Sequence, residues 1–364
     1  MSKTLFNILI ALDKIPPLPP KKFSTYSYLI FLLERLKDLD DARRDYFKDE
    51  AGRMTFDWVC QSRLLYDIFE DPMPEILDNI PYPKRRWNSL CRQAMKMAPL
   101  VKGDYILDRI DAWLLEAYTL HGLCEALPGD IVLDCGTFTG NTSLYFSQKT
   151  GETGRVYGFE PAPIVFRAYR ENARPHTNII PVNAALTSKN KAPGPDSVMN
   201  FTDGGPGASL RDSGTVSVPA IAIDTFRETK GLQRVDFIKM DIEGAEADAL
   251  RGAAETIRAY RPKMALSAYH KAEDLFELPR TISEICPGYR FTLRHFSDGP
   301  CETVLFCRHS DDEYYFGAAP EEKEHAVPLS KLSARLVSML KPRVEPGFLA
   351  EVSEYFNVPA GKTS

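Results

Sequence analysis

An acid and two glycines, Asp134-Cys135-Gly136-Thr137-Phe138-Thr139-Gly140-Asn141-Thr142, follow directly on the apolar run Ile131-Val132-Leu133. A second apolar run, Val156 to Phe159, ends in Glu160-Pro161. Runs this hydrophobic suit parallel strands covered on both faces. Gly136 lets the backbone turn sharply at the end of the first strand, and Gly140 lets a ligand pass close to the following helix. Glu160, at the tip of the second strand, is placed to accept hydrogen bonds from two ribose hydroxyls. The chemistry implied is the holding of a nucleoside at the edge of an α/β sheet.

The glycine spacing narrows the choice of nucleoside. A dinucleotide's pyrophosphate needs Gly-x-Gly-x-x-Gly and a bare helix N-terminus. Here the pattern is Asp-x-Gly-x-x-x-Gly without the third glycine, and Asp134 adds negative charge where a pyrophosphate would be repelled. S-adenosylmethionine fits, because it carries an ammonium, a carboxylate and a sulfonium and no phosphate. Gly136, Gly140, Asp134, Thr137, Asn141, Thr142, Glu160 and Pro161 form the expected cofactor set from these two strand ends.

A second cluster, Val235-Asp236-Phe237-Ile238-Lys239-Met240-Asp241-Ile242-Glu243-Gly244-Ala245-Glu246, sets three acids at and just past the end of a later strand. Ligands bind along that edge of an open α/β sheet. Asp241 is expected to look into the crevice beside the cofactor, and Glu243 to start the next helix, with Gly244 permitting close approach. Glu246 is accounted for by the helix dipole, which favours an acid in the first turn. His270, at the end of the following strand, is the expected general base, with an ordinary pKa near 6.5. His295 is assigned a structural role. A divalent ion held by Asp241, Glu243 and His270 offers a second way to acidify a hydroxyl, although no sequential ligand spacing demands it.

These groups must be carried by alternating strands and helices. The expected strands are Ile131 to Asp134, Val156 to Glu160, Ile179 to Asn183, Val235 to Met240 and Lys263 to Ser267, with Val216 to Ile223 as an extra extended segment. Tyr289 to Phe296 and Glu302 to Arg308 flank Ser297-Asp298-Gly299-Pro300 and read as an antiparallel hairpin. Helical spacing marks Thr25 to Asp49, Thr55 to Phe69, Trp87 to Met97 and Asp111 to Leu127, and Asn190 to Thr215 reads as a long loop. Three regions follow: a helical accessory region over 1–110 with a stiff Pro-rich lead, a catalytic α/β domain over 111–309, and a tail over 310–364 with one helix, Leu329 to Leu340, packing on the sheet or on a second subunit.

On these motifs the chain resembles the FkbM family of S-adenosylmethionine-dependent methyltransferases, from about Asp111 to Arg308. The likeness rests on Val132 to Thr142, Phe159-Glu160-Pro161, Val182-Asn183-Ala184-Ala185-Leu186 and above all Phe237 to Glu246. Arg261-Pro262-Lys263 leading to Tyr269-His270-Lys271 adds to it, as does Tyr289-Arg290-Phe291 leading to Arg294-His295-Phe296. The resemblance implies a Rossmann-like, class I methyltransferase sheet of seven mostly parallel strands ending in an antiparallel hairpin. It adds Asn183 and Ala184 to the cofactor set beside Asp241, and gives Asp241, Glu243 and His270 to catalysis. It also implies methylation of a hydroxyl on a sugar, a surface polysaccharide or a secondary metabolite. Tyr269, Phe276 and Phe296 suit a sugar-stacking or a core role. The front third matches the family only loosely and leaves the acceptor open.

Composition excludes other classes. Of the 364 residues, 44% are apolar and 26% charged, as in soluble globular proteins, and a net charge of -5 gives no basic signature for nucleic acid. The local cluster Lys84-Arg85-Arg86 with Arg92 and Lys96 reads as a solvated helix face. The cysteine count of 7 is odd and contains no CxxC pair, which points to buried thiols in a reducing, cytoplasmic setting. No apolar run is long enough to span a bilayer. Two rival readings stay open: an NAD(P)-dependent oxidoreductase sharing the sheet, and a non-catalytic scaffold that kept the fold.

Overall fold

The computed structural model describes residues 27–69, 81–188, 198–201 and 216–319. The expected Pro-rich lead and the helix Leu329 to Leu340 lie outside them. Five parallel strands form the centre: β1 (Ile131–Cys135), β2 (Arg155–Phe159), β3 (Ile179–Val182), β7 (Phe237–Met240) and β8 (Lys263–Ser267). The antiparallel pair β9 (Tyr289–His295) and β10 (Thr303–His309) completes a seven-stranded sheet of order β3-β2-β1-β7-β8-β10-β9. This is the expected sheet, with its terminal hairpin. Leu133 sits in the middle, opposite Tyr157 on one side and Ile238 on the other. The strand order reverses between β1 and β7, which opens a crevice beyond their carboxyl ends.

Helices cover both faces. On the carboxyl side of the strands stand α6 (Asn141–Thr150) after β1, α7 (Pro163–Ala173) after β2, α9 (Glu246–Arg251) and α10 (Ala254–Tyr260) after β7, and α11 (Asp274–Ile285) after β8. Pro163 opens α7, where its missing N–H and fixed φ suit the first turn. Ahead of the sheet come α1 (Ser27–Glu34), α2 (Leu36–Asp45), α3 (Glu50–Phe69), α4 (Lys84–Lys96) and the short α5 (Ile106–Arg109). Leu32, Leu39, Phe47, Phe56 and Leu64 of this front region share one apolar cluster with Leu293 and Leu305 of the hairpin. Asp49 caps α3 through the Gly52 N–H at 2.8 Å and also accepts from Thr292 Oγ1 at 2.8 Å, tying that helix to β9. The basic residues of α4 are exposed, as a solvated face requires.

Two expectations need correction. Asp111 to Leu127 is not a helix: a wide π-type turn, Ile110–Leu114, follows α5, and the chain then folds through Glu116 (φ 49) to a bridge between Leu120 and Cys124. Its apolar residues pack on neighbours in tertiary contact rather than along one helical stripe. The second is the loop Asn190 to Thr215: the extra extended segment forms as expected at Val216–Ile221 (β6), but as the central strand of a separate three-stranded sheet with β4 (Ala185–Leu186) and β5 (Val198–Phe201). β5 falls inside the expected loop; the rest of that loop lies outside the described residues. Helix α8 (Ile223–Lys230) leads from β6 to β7. Five of the cysteines are buried, Cys91 is half-buried, Cys301 is exposed, and none is in a disulfide.

Candidate active site

The turn after β1 is built around Gly136, at φ 82, where a β-carbon would lie 1.7 Å from the Asp241 carbonyl oxygen. Only glycine lets the ends of β1 and β7 approach so closely. The N–H groups of Gly136 and Thr137 both donate to Phe159 O, which joins the turn to the end of β2. Glu160 follows there, 7% exposed, its Oε2 accepting from Phe138 N at 3.1 Å and its Oε1 from Ala162 N at 2.8 Å. Each carboxylate oxygen has two acceptor sites, so both keep one for a ligand. Asn183 Nδ2 donates to the carbonyls of Glu160 and Pro161 at 2.8 and 3.0 Å, fixing the strand end from beside β3. Ala184 is buried next to it.

Other members of the expected cofactor set are buried and engaged with the protein itself. Asp134 is fully buried, accepting from Thr142 Oγ1 at 2.9 Å and Ser143 Oγ at 2.6 Å, so it anchors α6 instead of facing a ligand. Gly140 (φ 103) makes room for Tyr169, whose ring would lie 2.6 Å from a β-carbon there, rather than for a cofactor. Asn141, nearly buried, accepts from Trp113 Nε1 at 3.2 Å and donates to Asp104 Oδ1 at 2.9 Å. Thr137 is buried beside the turn.

Lys239, overlooked in the motif, is the hidden centre of this scaffold. It is 1% exposed, and its ammonium donates to Gly136 O at 2.5 Å while lying 3.5 Å from Asp134 Oδ1. Burial alone would depress the Lys239 pKa, but Asp134 and Asp241 more than offset that and hold it above the ordinary lysine value. A charged residue inside an apolar strand was the available signal, since a buried ammonium persists only with partners.

Asp241, beyond β7, accepts from Tyr118 Oη at 3.0 Å and Tyr269 Oη at 3.2 Å, and its Oδ1 lies 3.3 Å from His270 Nε2. Burial would raise its pKa, but Lys239, His270 and the Tyr118 hydrogen bond hold it below the usual carboxylate range. The structure gives the other side of His270 to Glu246, whose Oε1 sits 2.9 Å from Nδ1. Glu246 is fully buried, and the same Oε1 accepts from Ile242 N at 2.9 Å, whereas Oε2 has no hydrogen-bond partner. Glu246 therefore does more than complement a helix dipole. Glu243 lies in a left-handed turn (φ 56) three residues before α9 rather than at its start, and its Oε2 is 3.7 Å from His270 Nε2. Among the described residues, Asp241, Glu246 and His270, not Glu243, are the three whose donor atoms lie within 4.8 Å of one another. His295 is buried between Thr303 and Ser297 and packs on Trp58, as a structural histidine does.

The ordinary pKa expected of His270 does not hold. Burial would lower it, but the Glu246 hydrogen bond and the charges of Asp241, Glu246 and Glu243 raise it to about 9, so the ring is an imidazolium at neutral pH. Acids crowd the same crevice. Burial lifts Glu160 to about 7, and burial together with Asp241 lifts Glu302, on the hairpin, to about 8. Burial raises Asp108 to about 6 and pushes Asp111 well above its ordinary value. Asp108 and Asp111 share one segment and Glu302 comes from another far along the chain, and no local motif marks them. Burial thus favours the protonated form of these acids.

The sheet order, the crevice at its reversal and the terminal hairpin define a class I methyltransferase fold. A solved structure of methyltransferase FkbM from Methylobacillus flagellatus has the same fold, with a TM-score of 0.52 and 21% identity, over 76% of this chain and 60% of that one. Residues 134–291 match the methyltransferase FkbM domain. Among curated relatives, 2-O-methyltransferase NoeI of Sinorhizobium fredii is 26% identical over 181 residues, covering 44% of this chain and 73% of that protein. Hexuronic acid methyltransferase AglP of Haloferax volcanii is 24% identical over 165 residues, covering 44% and 64%. Among the described residues no helix is long and apolar enough to cross a membrane.

Proposed function

We propose that the protein transfers the methyl group of S-adenosylmethionine to a hydroxyl oxygen, and that the acceptor is a sugar. The reading is carried by one arrangement: the Gly136 turn touches the Asp241 backbone and bonds to the end of β2 before Glu160, with His270 beside Asp241 and backed by buried Glu246. It is supported by the two relatives whose names specify 2-O- and hexuronic acid methylation.

The residues fit the cofactor. Glu160 offers an acceptor on each oxygen for ribose hydroxyls, the Gly136 turn keeps the strand ends close, and the crowded acids match a sulfonium and an ammonium. When bound, the cofactor supplies a methyl carbon activated by positively charged sulfur. The protein's part is to align an oxygen with that carbon, and orientation alone can be worth about 7 to 11 kcal/mol. The alcohol proton is removed at the His270–Asp241 pair. His270 Nε2 takes it once the ring has lost its own proton, while Glu246 holds Nδ1 so that Nε2 faces the crevice. A metal is not required by this scheme, because Nδ1 is already engaged with Glu246 and Nε2 with Asp241.

The test is incubation with methyl-13C-labelled S-adenosylmethionine and neutral and acidic oligosaccharides, read by NMR. A methyl ether signal is expected. Label found only on nitrogen or sulfur, or retained wholly in the donor, would contradict the reading.

A further inference from the structure

Tyr269, which hydrogen-bonds Asp241, also lines a cavity of about 230 Å³. Its other walls include Tyr28 of α1, Arg63 and Tyr66 of α3, and Cys301, the neighbour of Glu302. The front helices and the hairpin therefore line this open cleft together, next to the proposed transfer site.

Arg63 is 8% exposed. Its Nη2 donates to Ala268 O at 2.8 Å and its Nη1 to Lys271 O at 3.5 Å. Among the described residues it forms no ion pair, although buried charges ordinarily have one. Its field reaches the neighbours: burial and then Arg63 push His295 down to about 3. Asp274 feels the same charge but lies outside ion-pair distance, and burial has lifted it to about 7. Tyrosine side chains beside a buried guanidinium that donates to backbone carbonyls describe a site for a ring that bears an anion. A guanidinium fork matches a carboxylate in shape. Across Tyr269, the ionised Asp241 repels negative charge, which disfavours a phosphate dianion more than a single carboxylate.

We infer that this cavity is the acceptor site and that the acceptor is a uronate, a sugar whose carboxylate is matched by Arg63 and whose ring packs on Tyr28, Tyr66 and Tyr269. The inference rests on the O-methyltransferase reading.

The two separate in one set of experiments. Binding of methyl β-D-glucuronide and methyl β-D-glucoside is measured by calorimetry on the full chain saturated with S-adenosylhomocysteine. The glucuronide is expected to bind at least tenfold tighter. Arg63→Gln should erase that preference, Arg63→Lys should keep part of it, and Tyr66→Ala, at a half-exposed wall, should weaken both sugars. Should Arg63→Gln fail to fold, the wild type decides: its preference must shrink as salt rises. Equal affinities, a preference untouched by Arg63→Gln, a Tyr66→Ala protein that binds as the wild type does, or a salt-independent preference each overturns the inference. A protein that methylates hydroxyls with no carboxylate preference loses only this inference. One that binds glucuronide through Arg63 yet transfers no methyl group loses the O-methyltransferase reading instead.

Discussion

Glu246 Oε1 and His270 Nδ1 lie 2.9 Å apart, and the carboxylate is fully buried behind the ring. This contact fixes which nitrogen meets the crevice and is the largest influence raising the His270 pKa to about 9. Glu246→Gln keeps the shape and removes the charge. A hydrogen bond to a charged group is worth about 1.5 to 3 kcal/mol, so plateau kcat should fall on the order of tenfold to a hundredfold. The rise of kcat/KM with pH, centred near 9 in the wild type, should move toward neutral pH. His270→Ala should cost more in turnover and leave cofactor affinity nearly intact. A pH–rate profile unmoved by Glu246→Gln would disprove the coupling.

Chelation separates hydrogen-bonded from metal-assisted proton removal. With both ring nitrogens of His270 engaged, activity in excess EDTA should equal activity in magnesium or manganese. Loss in EDTA with recovery on adding the ion would assign Asp241, Glu246 and His270 to a metal site.

Stability should fall as pH rises, with a definite sign. His270 has a folded pKa raised to about 9, so its contribution is complete below its ordinary value near 6.5 and is lost as pH rises through 9. That contribution is at most about 3 kcal/mol, because a separation of one pH unit between folded and unfolded pKa is worth about 1.36 kcal/mol. Glu160 and Glu302, raised to about 7 and about 8, act in the same direction, since each favours the folded state most while protonated. Thermal melts of the ligand-free protein should give a Tm that drops between pH 6 and 9. A Tm that climbs across that range would show the acids to be ionised in the fold.

Lys239 neutralises buried Asp134 under the cofactor turn. Lys239→Met should destabilise by about 3 to 5 kcal/mol, the cost of leaving one partner of a buried pair, and Asp134→Asn should recover part of it in the double variant. Additive losses in denaturant melts would show that the two do not interact.

Much of this was legible in the sequence, for identifiable reasons. Hydrophobic runs bounded by glycine and acid gave the strands, and the Ser297 to Pro300 turn gave the hairpin, because parallel strands and tight turns leave local signatures. The positions of Glu160, Asp241 and His270 just past strand ends were readable because the apolar runs stop short of them. Glu246 was misjudged because the helix dipole explains an acid there equally well, and only the fold reveals His270 behind it. The partners of Asp134 and the Tyr169 ring over Gly140 were not legible, because a motif records spacing and not which way a side chain turns. Asp108, Asp111, Glu302 and Arg63 carried no local signal, since chain topology alone gathers them.

Calorimetric titration of S-adenosylmethionine into the wild type and Glu160→Gln, with NAD+ titrated separately, tests the central claim most directly. The account predicts that S-adenosylmethionine binds the wild type and releases protons as Glu160 and Glu302 ionise, that Glu160→Gln loses roughly tenfold or more in affinity, and that NAD+ does not bind. Tight NAD+ binding, or S-adenosylmethionine binding unaffected by Glu160→Gln, would contradict it.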